Sequence, residues 1–394
     1  MKIKKKHKIQ TIATHSGLTP KDNYGIVNPP VYHASTILSS SMKEYKNRTG
    51  KKYTYGRNGS PTYDALEQAI SNLYDADGCV LAPSGMCAIT NSFMAILKSM
   101  DHALIPDCVY GSARRFVEEE FERLNIEYDF YDSRDLLSLE NKIKTNTKLI
   151  YLESPGSYTF EIIDIQKVVQ IAKKYKIITI IDNTWGTALY FNALKFGVDI
   201  VVEAITKYIG GHSDIMMGVS VSNKKYLRQI NRWKRNSGQC VGPDDIYLAL
   251  RGLRTLPLRL QKSQDNSIIL GKYFSKQEEV KKVYHPALKS HPDHNIWKRD
   301  FNGASGIFGI EFRENVTSRM VEFFADNCQL FGKGASWGGY ESLMTMSEIN
   351  TMRNIKTSYI PKGEYLRIYV GIENEEDILN DVNSAFKKMR KRFK

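Results

Sequence analysis

The sequence predicts an α/β protein: a mostly parallel sheet covered by helices, followed by a smaller α+β unit. Three observations carry this expectation. Between about residues 64 and 205, short apolar runs rich in β-branched residues alternate with helix-spaced segments. Those runs are continuously apolar, as strands buried on both faces should be. After about residue 255 the alternation stops, and a long helical stretch, two separated strands and a closing helix follow.

In chain order, residues 1–60 lack strong periodicity and read as an extended arm, which in a compact enzyme usually lies on a neighbouring subunit or across a cleft. Asp64–Leu73 spaces Leu66, Ala69, Ile70 and Leu73 along one helix face. Cys79–Ala82 is predicted as a strand, Pro83-Ser84-Gly85 as a turn, and Met86–Leu97 as a helix. Further strands are predicted at Ala103–Ile105, Leu149–Leu152, Ile177–Ile181 and Ile200–Ile205, with a helix over Asp164–Tyr175. Leu256–Phe274 reads as a long helix, Gly306–Phe312 and Tyr365–Val370 as strands, and Glu376–Arg390 as the last helix. The predicted division is an arm over 1–60, a sheet domain over 61–255 and an α+β domain over 256–394.

Composition narrows the class. The 394 residues are 42% hydrophobic and 25% charged, which is ordinary for a globular chain with a large core. No apolar run approaches the ~20 residues of a membrane span, so no membrane partner is expected. The basic start has no apolar core of a signal peptide. The five cysteines are scattered, odd in number and form no CxxC pair, so neither a metal nor a disulfide framework is expected. These features point to a reduced, cytoplasmic protein. The formal charge of +13 invites a nucleic-acid role, but residues 1–8 hold five Lys and residues 387–394 six Lys or Arg, with no acid in either stretch. Charge gathered at the ends reads as solvated tails, and no nucleic-acid partner is expected.

The chemistry gathers at strand ends. The Ile177–Ile181 run leads into Asp182, and a carboxylate there faces the crevice where α/β sheets bind ligands. The Ile200–Ile205 run leads into Thr206-Lys207 and then Tyr208-Ile209-Gly210-Gly211-His212. A pyridine-ring cofactor needs such a pair: the lysine joins it as a Schiff base, and the aspartate keeps its ring nitrogen protonated so that the ring accepts electrons. Ser84-Gly85-Met86, between a strand and a helix, suits a phosphate cradle, because a helix start offers free amides and positive potential. Each feature also has a plainer reading. Gly85 can mark a tight turn, Lys207 a surface lysine, Tyr110 a core aromatic and Arg367 an exposed strand residue, while His212 is read as fixing the turn that positions Lys207.

Together these motifs are specific. The chain resembles the cystathionine-lyase and γ-synthase family of pyridoxal-phosphate enzymes from Tyr53-Thr54-Tyr55-Gly56-Arg57 to Leu366-Arg367-Ile368. The resemblance rests on Glu153-Ser154-Pro155-Gly156-Ser157, Asp182-Asn183-Thr184-Trp185, Thr206-Lys207-Tyr208 with Gly211-His212-Ser213-Asp214, Arg251-Gly252-Leu253-Arg254-Thr255-Leu256, and Ser336-Trp337-Gly338-Gly339-Tyr340-Glu341-Ser342. It implies pyridoxal-phosphate fold type I, like aspartate aminotransferase, with pyridoxal 5'-phosphate held by the 61–255 domain.

The resemblance also assigns roles. Lys207 matches the Schiff-base lysine, Asp182 the ring-nitrogen partner and Tyr110 the tyrosine stacked on the ring. Gly85, Met86 and Thr206 match the phosphate cradle. Tyr55 and Arg57 match residues that reach that phosphate from a neighbouring subunit, which implies a homotetramer with shared sites. Arg367 matches the arginine that grips the α-carboxylate of an amino-acid substrate, a task for which a planar guanidinium suits. Ser336 and Trp337 match neighbours of that substrate. Lys207 and Tyr110 are the candidate acid–base groups.

Ala335-Ser336-Trp337 and Gly156-Ser157 resemble the β-eliminating members, whereas γ-eliminating members carry Glu before that serine. The stretch Arg232–Ser237 departs from the β-type pattern. The implied activity is a carbon–sulfur β-lyase of methionine biosynthesis that cleaves L-cystathionine to homocysteine, pyruvate and ammonia. The alternatives are a broad-specificity β-lyase with alanine racemase activity and a γ-type lyase or synthase.

Overall fold

The computed structural model describes residues 7–47, 50–357 and 359–393. Most of the lysine-rich start, read above as a solvated tail, and the final lysine thus lie outside the described residues. Among the described residues, one sheet has seven strands, in the order β1-β7-β6-β5-β4-β2-β3. These are β1 (Gly78–Ala82), β2 (His102–Pro106), β3 (Glu127–Tyr131), β4 (Thr147–Glu153), β5 (Ile178–Asp182), β6 (Ile200–Glu203) and β7 (Gly218–Ser222). The strands β3, β2, β4, β5 and β6 run parallel, and β7 is antiparallel to both of its neighbours.

The expected burial on both faces is visible residue by residue. Leu104, Ile150 and Leu152 belong to the core on one face, while Ala103, Ile105, Leu149 and Tyr151 belong to the core on the other. That is why these strands read as unbroken apolar runs. The crossover helices are set by ordinary signals. Asp164 caps Ile165–Tyr175 by accepting from Lys167 N at 3.3 Å, and Lys176 closes it in the left-handed region.

The second sheet has five strands among the described residues, in the order β10-β11-β12-β9-β8. They are β8 (Val280–Tyr284), β9 (Ile307–Phe312), β10 (Gly332–Lys333), β11 (Leu343–Met346) and β12 (Tyr365–Tyr369). The Glu375–Arg392 helix packs Ile378, Val382 and Phe386 into the core beneath them.

Three local expectations differ from the structure. The helix expected over 256–274 begins at Pro243 and runs unbroken to Phe274, with Pro257 inside it. Its stretch up to Leu260 contributes Ile246, Leu253 and Leu260 to the first core, and its end contributes Leu270 and Phe274 to the second. The division expected at 255/256 therefore falls inside a continuous helix. Pro257 accounts for the misreading, since proline favours a first helical turn. Here the proline stands in mid-helix, and the turn before it is tied by Arg259, which donates to Gly252 O at 2.6 Å. Second, the strand expected over Ile200–Ile205 stops at Glu203, because the chain turns there towards Lys207. Third, the arm over 1–60 includes a helix, Ile9–His15, whose Ile12 and Ala13 are buried. The rest of the arm keeps apolar side chains in solvent: Tyr24 is 100% and Leu38 is 83% exposed.

Candidate active site

Three strands end in carboxylates. Glu153 closes β4 and lies opposite Asp182, which closes β5; Glu203 closes β6. Glu153 and Glu203 are buried and Asp182 is partly so, and burial raises the pKa of each. Glu153 and Glu203 are both pushed up to about 8 by burial, with the charge of Asp182 adding to it. Asp182 is drawn back by hydrogen bonds from Thr184 and by the charge of Lys207. Asp182 is thus the member of the trio whose charged form a neighbouring cation favours. Thr184 N and Oγ1 both donate to Asp182 Oδ1, at 2.9 and 2.6 Å. Among the described residues no hydrogen bond reaches Oδ2, which is left to accept one from a ligand.

Lys207 follows β6 on a tightly held turn. Arg259 donates to Tyr208 O at 2.8 Å and to Ile209 O at 3.3 Å, and His212 Nδ1 lies 2.7 Å from Gly210 O. Behind the lysine, Gly338 has φ +85°, and a Cβ there would stand 2.9 Å from Lys207 Cα, so only glycine lets the two segments meet. Lys207 Nζ donates to Ser336 Oγ at 2.8 Å and lies 5.5 Å from the Trp337 ring centroid. Burial, reinforced by the positive charge of Arg367 and opposed by Asp182, brings its ammonium down to about 8. At pH 7 roughly a tenth of Lys207 is therefore neutral, nucleophilic amine, far more than of an unperturbed lysine.

The substrate side of the cleft is built on β12 and on the segment after β4. Arg367 is part-buried in the middle of β12, opposite Thr345 and Gly309. Its guanidinium stands 5.6 Å from the centroid of the Tyr158 ring. Among the described residues no carboxylate pairs with it, and burial lowers its pKa. A desolvated cation without a counter-ion is costly unless a ligand supplies one. Tyr110 stands at the start of a short helix, donates its N–H to Glu153 Oε2 at 2.8 Å, and is 42% exposed.

Gly85 and Met86 open the Gly85–Ile96 helix. Ser84 Oγ accepts from Cys87 N at 3.0 Å, which leaves the first two helical N–H groups without protein partners among the described residues. A Cβ on Gly85 would come within 2.6 Å of Ala204 Cβ, so this glycine also lets the helix start sit against the turn leading to Lys207. Thr206 is on that turn, but its hydroxyl is engaged with Met217, accepting from its N–H at 2.9 Å.

The structure thus gathers Lys207, Asp182, Tyr110, Gly85, Met86, Thr206, Ser336, Trp337 and Arg367 around one cleft. Tyr55 and Arg57 stand apart. Arg57 donates to Arg235 O at 2.8 Å, and Tyr55 is 45% exposed with a single bridge to Thr36. Sequence reasoning quoted Glu153 within a motif without giving it a role, and did not single out Glu203, Tyr158 or Arg259. The last residue of a buried strand, the signal that marked Asp182, also marks the two glutamates.

The residues fit pyridoxal phosphate: a free acceptor at Asp182, a lysine whose burial eases loss of its proton, and unbonded amides at a helix start. Comparison with known proteins agrees. A family model described as Cys/Met metabolism PLP-dependent enzyme matches residues 10–387. The chain is 36% identical to a cystathionine beta-lyase of Haemophilus influenzae, over 98% of this chain and 99% of that one. It is also 36% identical to an L-alanine/L-glutamate racemase of Wolbachia pipientis wMel, over 97% and 98%. Among solved structures, cystathionine gamma-lyase from Lactobacillus plantarum, complexed with L-serine, superposes with a TM-score of 0.89 at 28% identity, covering 98% of this chain and 100% of that one.

Proposed function

We propose that this chain, which belongs to the Cys/Met metabolism PLP-dependent enzyme family, is a carbon–sulfur β-lyase that cleaves L-cystathionine to homocysteine, pyruvate and ammonia. The observation that carries this reading is the placement of Ala335-Ser336-Trp337 at the lysine, with Ser336 Oγ 2.8 Å from Lys207 Nζ. That triplet has the β-type pattern and puts no carboxylate where γ-type relatives have one.

Pyridoxal phosphate, when bound, supplies a protonated ring that withdraws electrons from the substrate Cα. The chain's own residues do the rest. Arg367 binds the substrate carboxylate and replaces its hydration. Asp182 Oδ2 accepts from the ring nitrogen and keeps the proton there. Lys207, released as a neutral amine, takes the Cα proton and delivers it to the departing sulfur as the Cβ–S bond breaks. Ser336 accepts from Lys207 Nζ and fixes the direction in which the amine points. The Trp337 ring narrows the pocket on the side of the leaving group. Pyruvate and ammonia follow from hydrolysis of the released three-carbon fragment.

A second reading, alanine racemase activity at the same site, is favoured by the similarity to the Wolbachia racemase. Lys207 and Tyr110 are its two acid–base groups. A cytoplasmic homotetramer is part of this proposal; the exposed apolar arm, with Tyr55 and Arg57 away from their own cleft, supports its one feature that these two residues complete a neighbour's phosphate cradle. Incubating the enzyme with L-cystathionine, L-cystine and L-alanine in turn, and assaying pyruvate, 2-oxobutyrate and D-alanine, tests the assignment. Pyruvate from cystathionine in excess of both other products is expected. Dominant 2-oxobutyrate would place the chain on the γ branch, and D-alanine without 2-oxo acid would make it a racemase.

A further inference from the structure

Tyr158 has a backbone conformation that calls for explanation. Its φ is +71°, a region that a bulky side chain rarely adopts. Two residues later Phe160 does the same, with φ +57°. Strain of this kind persists only where the surroundings impose it, and here they do. On one side Ser157 N donates to Cys108 O at 2.9 Å, and Arg353 donates to Ser157 O at 3.2 Å. The Tyr158 carbonyl itself accepts from the hydroxyl of Tyr365. Tyr365 lies on β12, two positions before Arg367. The strand that carries the arginine thus also ties down the residue that faces it.

The result is a tyrosine ring turned into the cleft. Its centroid is 5.6 Å from Arg367 Cζ, and its hydroxyl lies 3.7 Å from where a Cβ on Gly111 would stand, next to Tyr110. No carboxylate among the described residues orients Arg367, so the ring face is its aromatic support. We propose that Tyr158 is a positioning residue that holds the Arg367 guanidinium, by a cation–π contact, in the orientation that receives the substrate carboxylate. This rests on the reading of Arg367 as the carboxylate binder. The contact is available before substrate arrives and is not replaced by it, because a carboxylate approaches the edge of a guanidinium while the ring occupies its face. The left-handed backbone at position 158 is then the means by which the ring reaches that face.

The test uses the holoenzyme and calorimetric titration with L-alanine, which has the α-carboxylate and almost no side chain, and with methylamine, which has no carboxylate. Tyr158→Gly suits the left-handed backbone and removes the ring; Tyr158→Leu keeps bulk without a π face and serves if the glycine variant does not fold. Both are expected to weaken L-alanine binding about 3- to 30-fold and leave methylamine unchanged. In turnover the loss should fall on KM more than on kcat. Tyr158→Phe, which keeps the ring, should bind alanine within about twofold of the parent. Arg367→Leu is the reference and should bind alanine far more weakly than any of these. If Arg367→Leu binds alanine as the parent does, the carboxylate reading fails and this proposal with it. If Arg367→Leu loses binding while Tyr158→Gly and Tyr158→Leu do not, only the present proposal is overturned. It is equally overturned if Tyr158→Phe binds as weakly as the ring-less variants.

Discussion

Replacing Glu203 by Gln isolates one member of the carboxylate trio. Glu203 is 2% exposed and accepts from Tyr74 Oη at 2.5 Å, a bond that a glutamine carbonyl can also accept. Burial lifts its carboxyl from 4.5 to about 8, with the charge of Asp182 adding to it and the Tyr74 bond opposing. Because the folded value is raised, the folded state holds a proton that the unfolded chain releases. The associated stability is complete below about pH 4.5 and is lost as pH rises through about 8. For one such group the loss between pH 7 and 9 is about 1.4 kcal/mol. In a chain of this length that is about 2 °C in unfolding midpoint. Glutamine cannot ionise, so Glu203→Gln should lack this increment while keeping every other pH-dependent contribution, including that of Glu153. The assay is urea unfolding of parent and variant holoenzymes at pH 7, 8 and 9, followed by far-UV circular dichroism. The parent should lose about 1.4 kcal/mol more than the variant across that range. Parallel curves, or a steeper fall in the variant, would show that Glu203 is ionised in the folded protein and that the account of the trio is wrong.

Two further outcomes follow from the site. Asp182→Ala should lower kcat by orders of magnitude with a much smaller change in KM, because a ring that has lost its proton fails mainly in the transition state; steady-state kinetics showing only a raised KM would rule out its role. Arg57→Ala and Lys207→Ala should each be nearly inactive, and co-refolded mixtures of the two should recover activity, since some cleft then receives both native residues; properly mixed oligomers that stay inactive would contradict shared sites.

The central strands were legible because burial on both faces leaves an unmistakable mark, and Asp182 and Lys207 drew notice because one ends such a strand and the other lies on the turn after one. The antiparallel strand Gly218–Ser222 was not legible. Its Ser220 and Ser222 are buried but satisfied, Ser220 Oγ lying 3.0 Å from Ser92 Oγ and Ser222 Oγ donating to Asp199 O at 2.6 Å. A run with two hydroxyls looks like a loop until those partners are known. Pro257 hid the first half of the long helix for a different reason, since proline favours a first helical turn and here stands inside the helix. The role proposed for Tyr158 lies beyond sequence patterning altogether. It depends on a left-handed backbone at a residue type that normally avoids it, imposed by contacts from Tyr365 and by the fixing of Ser157. Arg57 marks the opposite case, a residue singled out by motif whose own-chain contacts lead to Arg235 and away from the cleft.

Lys207 is the lysine proposed to carry the cofactor. Reducing the holoenzyme with borohydride fixes bound cofactor on its lysine, and mass mapping of the digested chain then identifies that residue. The expected result is a single modified peptide containing Lys207, with no label retained when Lys207→Ala is treated in the same way. Label on a peptide that lacks position 207, or label that persists in Lys207→Ala, would contradict the assignment.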